Sequence, residues 1–207
     1  MNYFLTGTDT GVGKTYAASL LIRAGRRAGL ETVGMKPVCT GDRSDAEALH
    51  QACDGVIPLN TVNPVWYRTP AAPYTAAVVE NRPVDLALIR DTFRQLRATH
   101  RSVIVEGVGG WLVPIERNYF VADLASEMGL PVVVVVRNRL GAINQTLLTV
   151  REIERHSVPF AGYILNEADP VEDVAAVTNR EILTDLLGQP PLWTISQHAT
   201  TLSYENH

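Results

Sequence analysis

The chain alternates short runs of β-branched and other apolar residues with longer stretches whose apolar positions recur every three or four residues. The runs NYFLT (2–6), ETVGM (31–35), SVIVE (102–106), PVVVVV (131–136), FAGYILN (160–166) and PLWTI (191–195) predict strands. The stretches TYAASLLIRAGRRAG (15–29), SDAEALHQAC (44–53), DLALIRDTFRQLRAT (85–99), FVADLASEMG (120–129), INQTLLTVREIERH (143–156) and VEDVAAVTNREILTDLLG (171–188) predict helices. Strands alternating with helices indicate an α/β fold with a mostly parallel sheet flanked by helices on both faces. Val132 to Val136 have no polar alternation, as expected of a central strand covered on both sides. Only residues 58–83 break the rhythm. Their five prolines read as an irregular surface connection and a candidate wall of the functional site. No repeat or linker interrupts the pattern, so one domain over residues 1–207 is expected.

In an open parallel sheet, ligands bind beyond the carboxyl ends of the strands. The unusual residues of this chain cluster at those exits: GTDTGVGKT after the first strand, KPVCTG after the second, GVGGW after the third, RNRLGAIN after the fourth, and Asn166 at the end of the fifth. The first of these differs from the phosphate-loop pattern G-x-x-x-x-G-K-[ST] by one residue, with glycine at Gly7 rather than at position 8. The physics survives the slip. Gly7, Gly11 and Gly13 allow backbone angles that turn successive N–H groups toward an anion. Lys14 reaches terminal phosphates, the Thr15 hydroxyl can bind Mg²⁺, and the following helix adds its positive end. The fold is therefore expected to be of the P-loop NTPase type.

Composition narrows the function. The formal net charge is −4 and no basic stripe is visible, which argues against a nucleic-acid partner. The longest apolar run is too short to span a bilayer, and no leader pattern is visible at the N-terminus. Cys39 and Cys53 read as small buried residues of a reducing compartment, so a soluble cytoplasmic protein is expected. Of eighteen basic residues only Lys14 and Lys36 are lysines. Where arginine serves as the general cation, a retained lysine suggests a task that needs a compact ammonium on a flexible stem. Lys36, at the second strand exit, is expected to face the same site as Lys14. Glu106 ends an apolar strand just before GVGG, a usual place for a Mg²⁺-binding carboxylate. Asp45 reads either as a second such carboxylate or as a helix-start acid favoured by the dipole, with Ser44 as a candidate cap. Asn166 reads either as a turn former or as an amide placed to pair with adenine. Trp111 reads as a wall of the site or as a core anchor.

Taken in order, GTDTGVGKT, KPVCTG, SDAEAL, VEGVGGWLVP and NRLGAIN resemble the dethiobiotin synthetase family, closely over the first two-thirds of the chain and loosely over the last third. The one-residue slip in the phosphate loop is itself a feature of that family. The resemblance implies that ATP, with Mg²⁺, joins CO₂ to the vicinal diamine of diaminopelargonic acid and closes a cyclic urea. It implies nucleotide binding by Thr10, Gly11, Val12, Gly13, Lys14, Thr15, Glu106 and Asn166. It implies metal binding by Thr15, Asp45 and Glu106, and catalytic roles for Lys14 and Lys36. Lys36 and Thr40 would meet the reacting end of the substrate. The resemblance also implies a homodimer whose neighbouring chain holds the substrate carboxylate. Gly141, Ala142, Ile143 and Asn144, at the helix start after the fourth strand, read either as that clamp or as an ordinary strand-to-helix turn with Asn144 as a local cap. Some departures stand out. Position 11 is Gly where some relatives carry an acid, Thr40 replaces a more usual Ser, and AAVTNRE lacks a Tyr that some relatives use for the carboxylate. Two rivals remain. A cobyrinate-type amide-forming synthetase would need a glutaminase domain for which this chain is too short. A partitioning-type ATPase switch would carry a signature lysine where this chain has Asp9.

Overall fold

The computed structural model describes residues 1–167, 173–196 and 199. In chain order the elements are β1 (Asn2–Gly7), α1 (Lys14–Arg27), β2 (Thr32–Met35), β3 (Val38–Thr40), α2 (Ser44–Ala52), α3 (Leu59–Val62), β4 (Val65–Tyr67), α4 (Pro73–Val79) and α5 (Leu86–Thr99). They continue with β5 (Ser102–Gly110), β6 (Pro114–Glu116), β7 (Tyr119–Phe120), α6 (Val121–Met128), β8 (Val132–Arg137), α7 (Ala142–Arg155), β9 (Phe160–Glu167), α8 (Val174–Leu187) and β10 (Trp193–Ser196). All six predicted strands and all six predicted helices are present, with shifted ends.

Six strands form one parallel sheet in the order β10-β9-β8-β1-β5-β2. The step from β1 to β2 runs one way across the sheet and the step from β8 to β9 runs the other. Right-handed crossovers therefore put α1 and α7 on opposite faces. The valines of β8 are fully buried, as a strand covered on both faces requires. Register then places the chemistry. Leu5 of β1 pairs with Glu106, and Met35 of β2 pairs with Val105. Glu106 thus comes up beneath the loop that leaves β1, and Lys36 follows one step beyond Met35, beside it.

Two expectations are corrected. The GVGG segment is not a simple exit loop: after an irregularity in register, β5 continues until Gly110 pairs with Gly7. The proline-rich stretch 58–83 is not irregular throughout. It contains α3 and α4, and its β4 pairs in parallel with β3, with Thr40 beside Tyr67. Pro73 sits in the first turn of α4, where its missing N–H costs nothing.

Candidate active site

The loop between β1 and α1 is shaped by its glycines. Gly11 and Gly13 have φ of 73° and 92°, a region that suits glycine. At Gly13 space is limiting too, since a Cβ there would lie 2.2 Å from Nδ2 of Asn166. Gly7 is required for room alone, because its φ is not positive and a Cβ would meet Val12 at 2.6 Å. Lys14 begins α1, is buried, and donates from Nζ to the Asp9 carbonyl at 2.9 Å, which closes the loop on itself. Burial, with Lys36 nearby, lowers its pKa to about 8. A phosphate in the loop would supply the missing countercharge.

Beside the loop lies a compact charged cluster. The Lys36 ammonium donates to Glu106 Oε1 at 2.6 Å, to Asp45 Oδ2 at 2.8 Å and to the Gly107 carbonyl at 3.2 Å. Lys36 and Glu106 are almost wholly buried, and the Asp45 side chain is 45% exposed. Burial alone would lower the pKa of Lys36, but Glu106 and Asp45 outweigh it and hold the ammonium firmly protonated. Burial pushes the Glu106 carboxyl up while Lys36 pulls against it. Burial also works to raise Asp45, but Lys36 and the Thr15 hydroxyl keep it below the usual carboxylate range. Removing one partner of such a buried pair leaves an uncompensated charge, at a cost of about 3–5 kcal/mol.

The oxygens of this cluster suit a hard divalent cation. Thr15 Oγ1 lies 2.7 Å from Asp45 Oδ1 and 2.8 Å from Glu106 Oε1. A hydroxyl has one proton to give, so it cannot serve both ionised carboxylates at once. Glu106 Oε2 is buried without a hydrogen-bond partner among the described residues. A cation among these oxygens relieves both conditions. An all-oxygen set of one hydroxyl and two carboxylates, open to phosphate, fits Mg²⁺.

A cavity of about 780 Å³ opens over the loop and the cluster. Its walls include Thr10, Gly11, Gly13, Lys14, Thr15, Lys36, Thr40, Asp45 and Glu106, so the structure brings these sequence candidates to one site. Pro70, Ala71 and Ala72, from the proline-rich stretch, form one side, and Val108 and Val113 form another. Asp45 is more than a helix-start acid, since both its oxygens serve the cluster. Ser44 is not the cap of α2. It is the first residue of the helix, its N–H donates to Asp42 at 3.0 Å, and the N-cap position is Arg43, whose side chain makes no capping bond. Asn166, one residue before the end of β9, is not among the cavity walls, and nor is Val12; its Nδ2 donates to the Val12 carbonyl at 2.9 Å, which fastens it under the phosphate loop. Trp111 is core: it is buried and meets His156 edge-on. Cys39 and Cys53 are buried free thiols, both raised to about 11 by burial. His198 and most of the tail lie outside the described residues.

Gly141, Ala142, Ile143 and Asn144 are not in the walls of this cavity. They begin α7, at the same edge of the sheet but beyond β8. Gly141 takes φ 92°, and the Ala142 N–H donates to Arg139 O at 3.1 Å, so that group is already committed to the turn. The first-turn N–H groups of Ile143 and Asn144 lack helical acceptors by position. A buried lattice supports this corner. Asn179 donates to Asn138 Oδ1 and to the Arg139 carbonyl, and Asn138 donates to the Ala176 carbonyl and to Glu167. Around it Leu140, Val174 and Val177 are 80%, 81% and 76% exposed.

Several residues escaped the sequence reading. Asn63, Arg43 and Trp66 support the Lys36–Thr40 segment, and nothing in their spacing marks them. Asn63 before Pro64 reads as an ordinary turn. The Gly107 and Asp9 carbonyls that receive the two lysines are main-chain groups, which no side-chain pattern reveals.

A family model described as an AAA domain matches residues 1–196. Among solved structures, the MinD cell division protein of Aquifex aeolicus superposes with a TM-score of 0.59 at 15% identity, covering 95% of this chain and 82% of that one. A ParA family ATPase of Chlorobium tepidum superposes with a TM-score of 0.56 at 15% identity, covering 95% and 84%. At such identities these likenesses establish the P-loop NTPase fold and no more. Sequence relatives are nearer. The ATP-dependent dethiobiotin synthetase of Anaeromyxobacter dehalogenans strain 2CP-C is 47% identical over 193 residues, covering 91% of this chain and 86% of that one. That of Akkermansia muciniphila is 42% identical over 191 residues, covering 92% and 90%. Relatedness at this level across nine-tenths of the chain means that it belongs to the dethiobiotin synthetase family.

Proposed function

We propose that this protein, one catalytic domain over residues 1–207, forms dethiobiotin from diaminopelargonic acid, CO₂ and ATP, releasing ADP and phosphate. The observation that carries the reading is the Lys36 ammonium, held by Glu106 and Asp45 within the cavity that the phosphate loop floors. One amine of the substrate takes up CO₂ as a carbamate. A carbamate oxygen then attacks the γ-phosphorus of ATP, ADP leaves, and a mixed carbamic–phosphoric anhydride remains. The second amine attacks the carbonyl carbon, the bond to the phosphate oxygen breaks, and the amine proton is lost as the ring closes.

The side chains divide this work. Backbone N–H groups from Thr10 to Thr15 and the Lys14 ammonium cradle the β- and γ-phosphates. Lys36 bridges carbamate and γ-phosphate, so charge passing from one to the other stays beside a fixed cation. Thr40 hydrogen-bonds the reacting end of the diamine. Asn166 pairs with the adenine edge. Thr15, Asp45 and Glu106 would hold Mg²⁺, which when bound neutralises charge on the phosphate oxygens. Pro70 to Ala72 and Val113 supply apolar surface for the substrate chain.

The substrate carboxylate lies beyond one chain's reach in this reading. The start of α7, at Ile143 and Asn144, offers it N–H groups and a positive helix end from a second copy. Exposed Leu140, Val174 and Val177 beside that helix start are the apolar surface on which the copies meet, giving a homodimer with shared sites. No described helix is long and apolar enough to cross a membrane, and we place the enzyme, with its free buried thiols, in the cytoplasm. The switch alternative lacks its signature lysine at Asp9. The test is ADP release, which is expected to require diamine, bicarbonate and Mg²⁺ together. Rapid ATP hydrolysis that ignores the diamine sinks the ligase reading.

A further inference from the structure

Lys36 is an unusual strand-exit residue, because its main chain is held from outside the sheet. Its N–H donates to the Val62 carbonyl at 2.7 Å, and its carbonyl accepts from Asn63 Nδ2 at 2.9 Å. Asn63 is only 1% exposed, and its amide is fully employed. The second Nδ2 proton goes to the Val65 carbonyl at 2.7 Å, and Oδ1 accepts from Arg43 Nε at 3.0 Å. Arg43 returns a bond from Nη2 to the Asn63 carbonyl at 3.0 Å and reaches the Asn60 side chain with both terminal nitrogens. Arg43 is also the residue immediately before α2, the helix that carries Asp45. Its guanidinium lies 5.4 Å from the ring centre of Trp66, whose Nε1 donates to the Gly41 carbonyl at 2.8 Å.

These contacts form a bracket. One buried amide joins the backbone of Lys36 to the segment that begins the Asp45 helix, while the ammonium of Lys36 and the carboxylate of Asp45 meet at the other end. We infer that Asn63, braced by Arg43, is a positioning residue of the reaction: it fixes the Cα of Lys36 relative to Asp45 so that the ammonium reaches the transferring phosphoryl group. This rests on the ligase reading above. Asn63 is not itself a wall of the cavity; it acts through Lys36, which is.

The chemistry of the site explains the need. A lysine stem has several rotatable bonds, so the reach of its ammonium is set by where its Cα is anchored. Phosphoryl transfer depends on position, and a displacement of about 1 Å can cost about 10²-fold in rate. An amide is also the only common side chain that fits the bracket. Aspartate would set a carboxylate oxygen against two carbonyl oxygens. Leucine, of similar shape, would leave both carbonyls and the Arg43 Nε without partners.

The experiment compares Asn63→Ala and Arg43→Ala in two backgrounds, wild type and Lys36→Met, with steady-state ADP release at saturating ATP and diamine. ATP affinity is measured separately by calorimetry. In the wild-type background Asn63→Ala is expected to lower kcat about 10- to 100-fold, the usual scale for a residue that orients a catalytic group. Affinity for ATP, set mainly by the phosphate loop, stays unchanged. Arg43→Ala, at a half-buried position, is expected to lower kcat less while the fold stays intact. In the Lys36→Met background neither change should lower the residual rate further, because the group being positioned is gone. Equal losses in both backgrounds, or a wild-type kcat in folded Asn63→Ala, overturn the inference and leave the ligase reading standing. If Asn63→Ala does not fold, Arg43→Ala decides by the same criterion. Full activity in Lys36→Met overturns both.

Discussion

The two halves of the ligand-binding edge of the sheet are built in opposite ways. On the β1–β5–β2 side the charges are gathered within one chain: Lys36 lies between Glu106 and Asp45, and Lys14 is held on the Asp9 carbonyl, ready for a phosphate. On the β8–β9 side the polar lattice of Asn138 and Asn179 is satisfied internally, but it supports an exposed apolar rim of Leu140, Val174 and Val177. The first half is preassembled for chemistry, where preorganised charge lowers the barrier. The second half offers a surface and a helix start, and on the reading proposed here it is completed only by another copy.

The sharpest way to break the comparison is at Lys36. Arginine keeps the charge, but a planar fork cannot sit where a compact ammonium meets two carboxylates and a carbonyl. Lys36→Arg is expected to lose about 10²–10³-fold in turnover, the scale for removing one preorganised donor, with the fold preserved by circular dichroism. Near wild-type turnover would mean that only generic positive charge is needed there.

The closed half also predicts thiol behaviour. Burial raises Cys39 and Cys53 to about 11. A raised thiol pKa means less thiolate at a given pH. At pH 8 both should therefore react with iodoacetamide about 100-fold more slowly in the folded protein than after denaturation. Fast native labelling of Cys39, which lies in the cavity wall between Lys36 and Thr40, would show that the preassembled half opens.

The same contrast governs what the sequence could disclose. The phosphate loop was legible because its function fixes residue types at close spacing: Gly11 and Gly13 for their angles, Lys14 and Thr15 for their head groups. Glu106 was legible as a charge at the end of an apolar strand. Lys36 stood out only because arginine fills nearly every other basic position. The proline-rich stretch hid its order, since elements of three, four and seven residues are too short to show a periodicity and depend on tertiary partners such as β3. Asn63 was invisible for a related reason. Its role lies in hydrogen bonds to main-chain atoms distant in sequence, whereas the local pattern Asn-Pro speaks only of a turn. Ser44 became the first residue of α2, with its N–H on Asp42, and not the cap, because serine and aspartate side chains can each serve an N–H two residues on and local sequence does not choose between them.

The exposed rim can be tested directly. Leu140→Asp with Val177→Asp puts two charges on the apolar surface, at residues outside the walls of the cavity that holds Lys36 and the phosphate loop. Sedimentation velocity is expected to show a weakened dimer. The KM for the diamine should rise about tenfold, equivalent to about 1.4 kcal/mol, while ATP affinity is unchanged. A stable dimer with unaltered KM would move the interface elsewhere.

The smallest expected signal is also the most specific to a shared site. Lys14→Ala removes the ammonium that closes the phosphate loop, and Gly141→Trp places a large side chain at a left-handed position at the start of α7, where φ is 92°. Each variant alone is expected to be inactive, the first for want of phosphate binding and the second for want of a carboxylate site. If one chain supplies the loop and its neighbour the helix start, a mixed dimer has one site with both parts intact and one with neither. Random exchange makes half the dimers mixed, so co-refolding equal amounts should recover about a quarter of wild-type activity. Exchange is verified independently with differently tagged chains. If the tags exchange and the mixture stays inactive, each chain builds its whole site and the β8–β9 surface has another purpose.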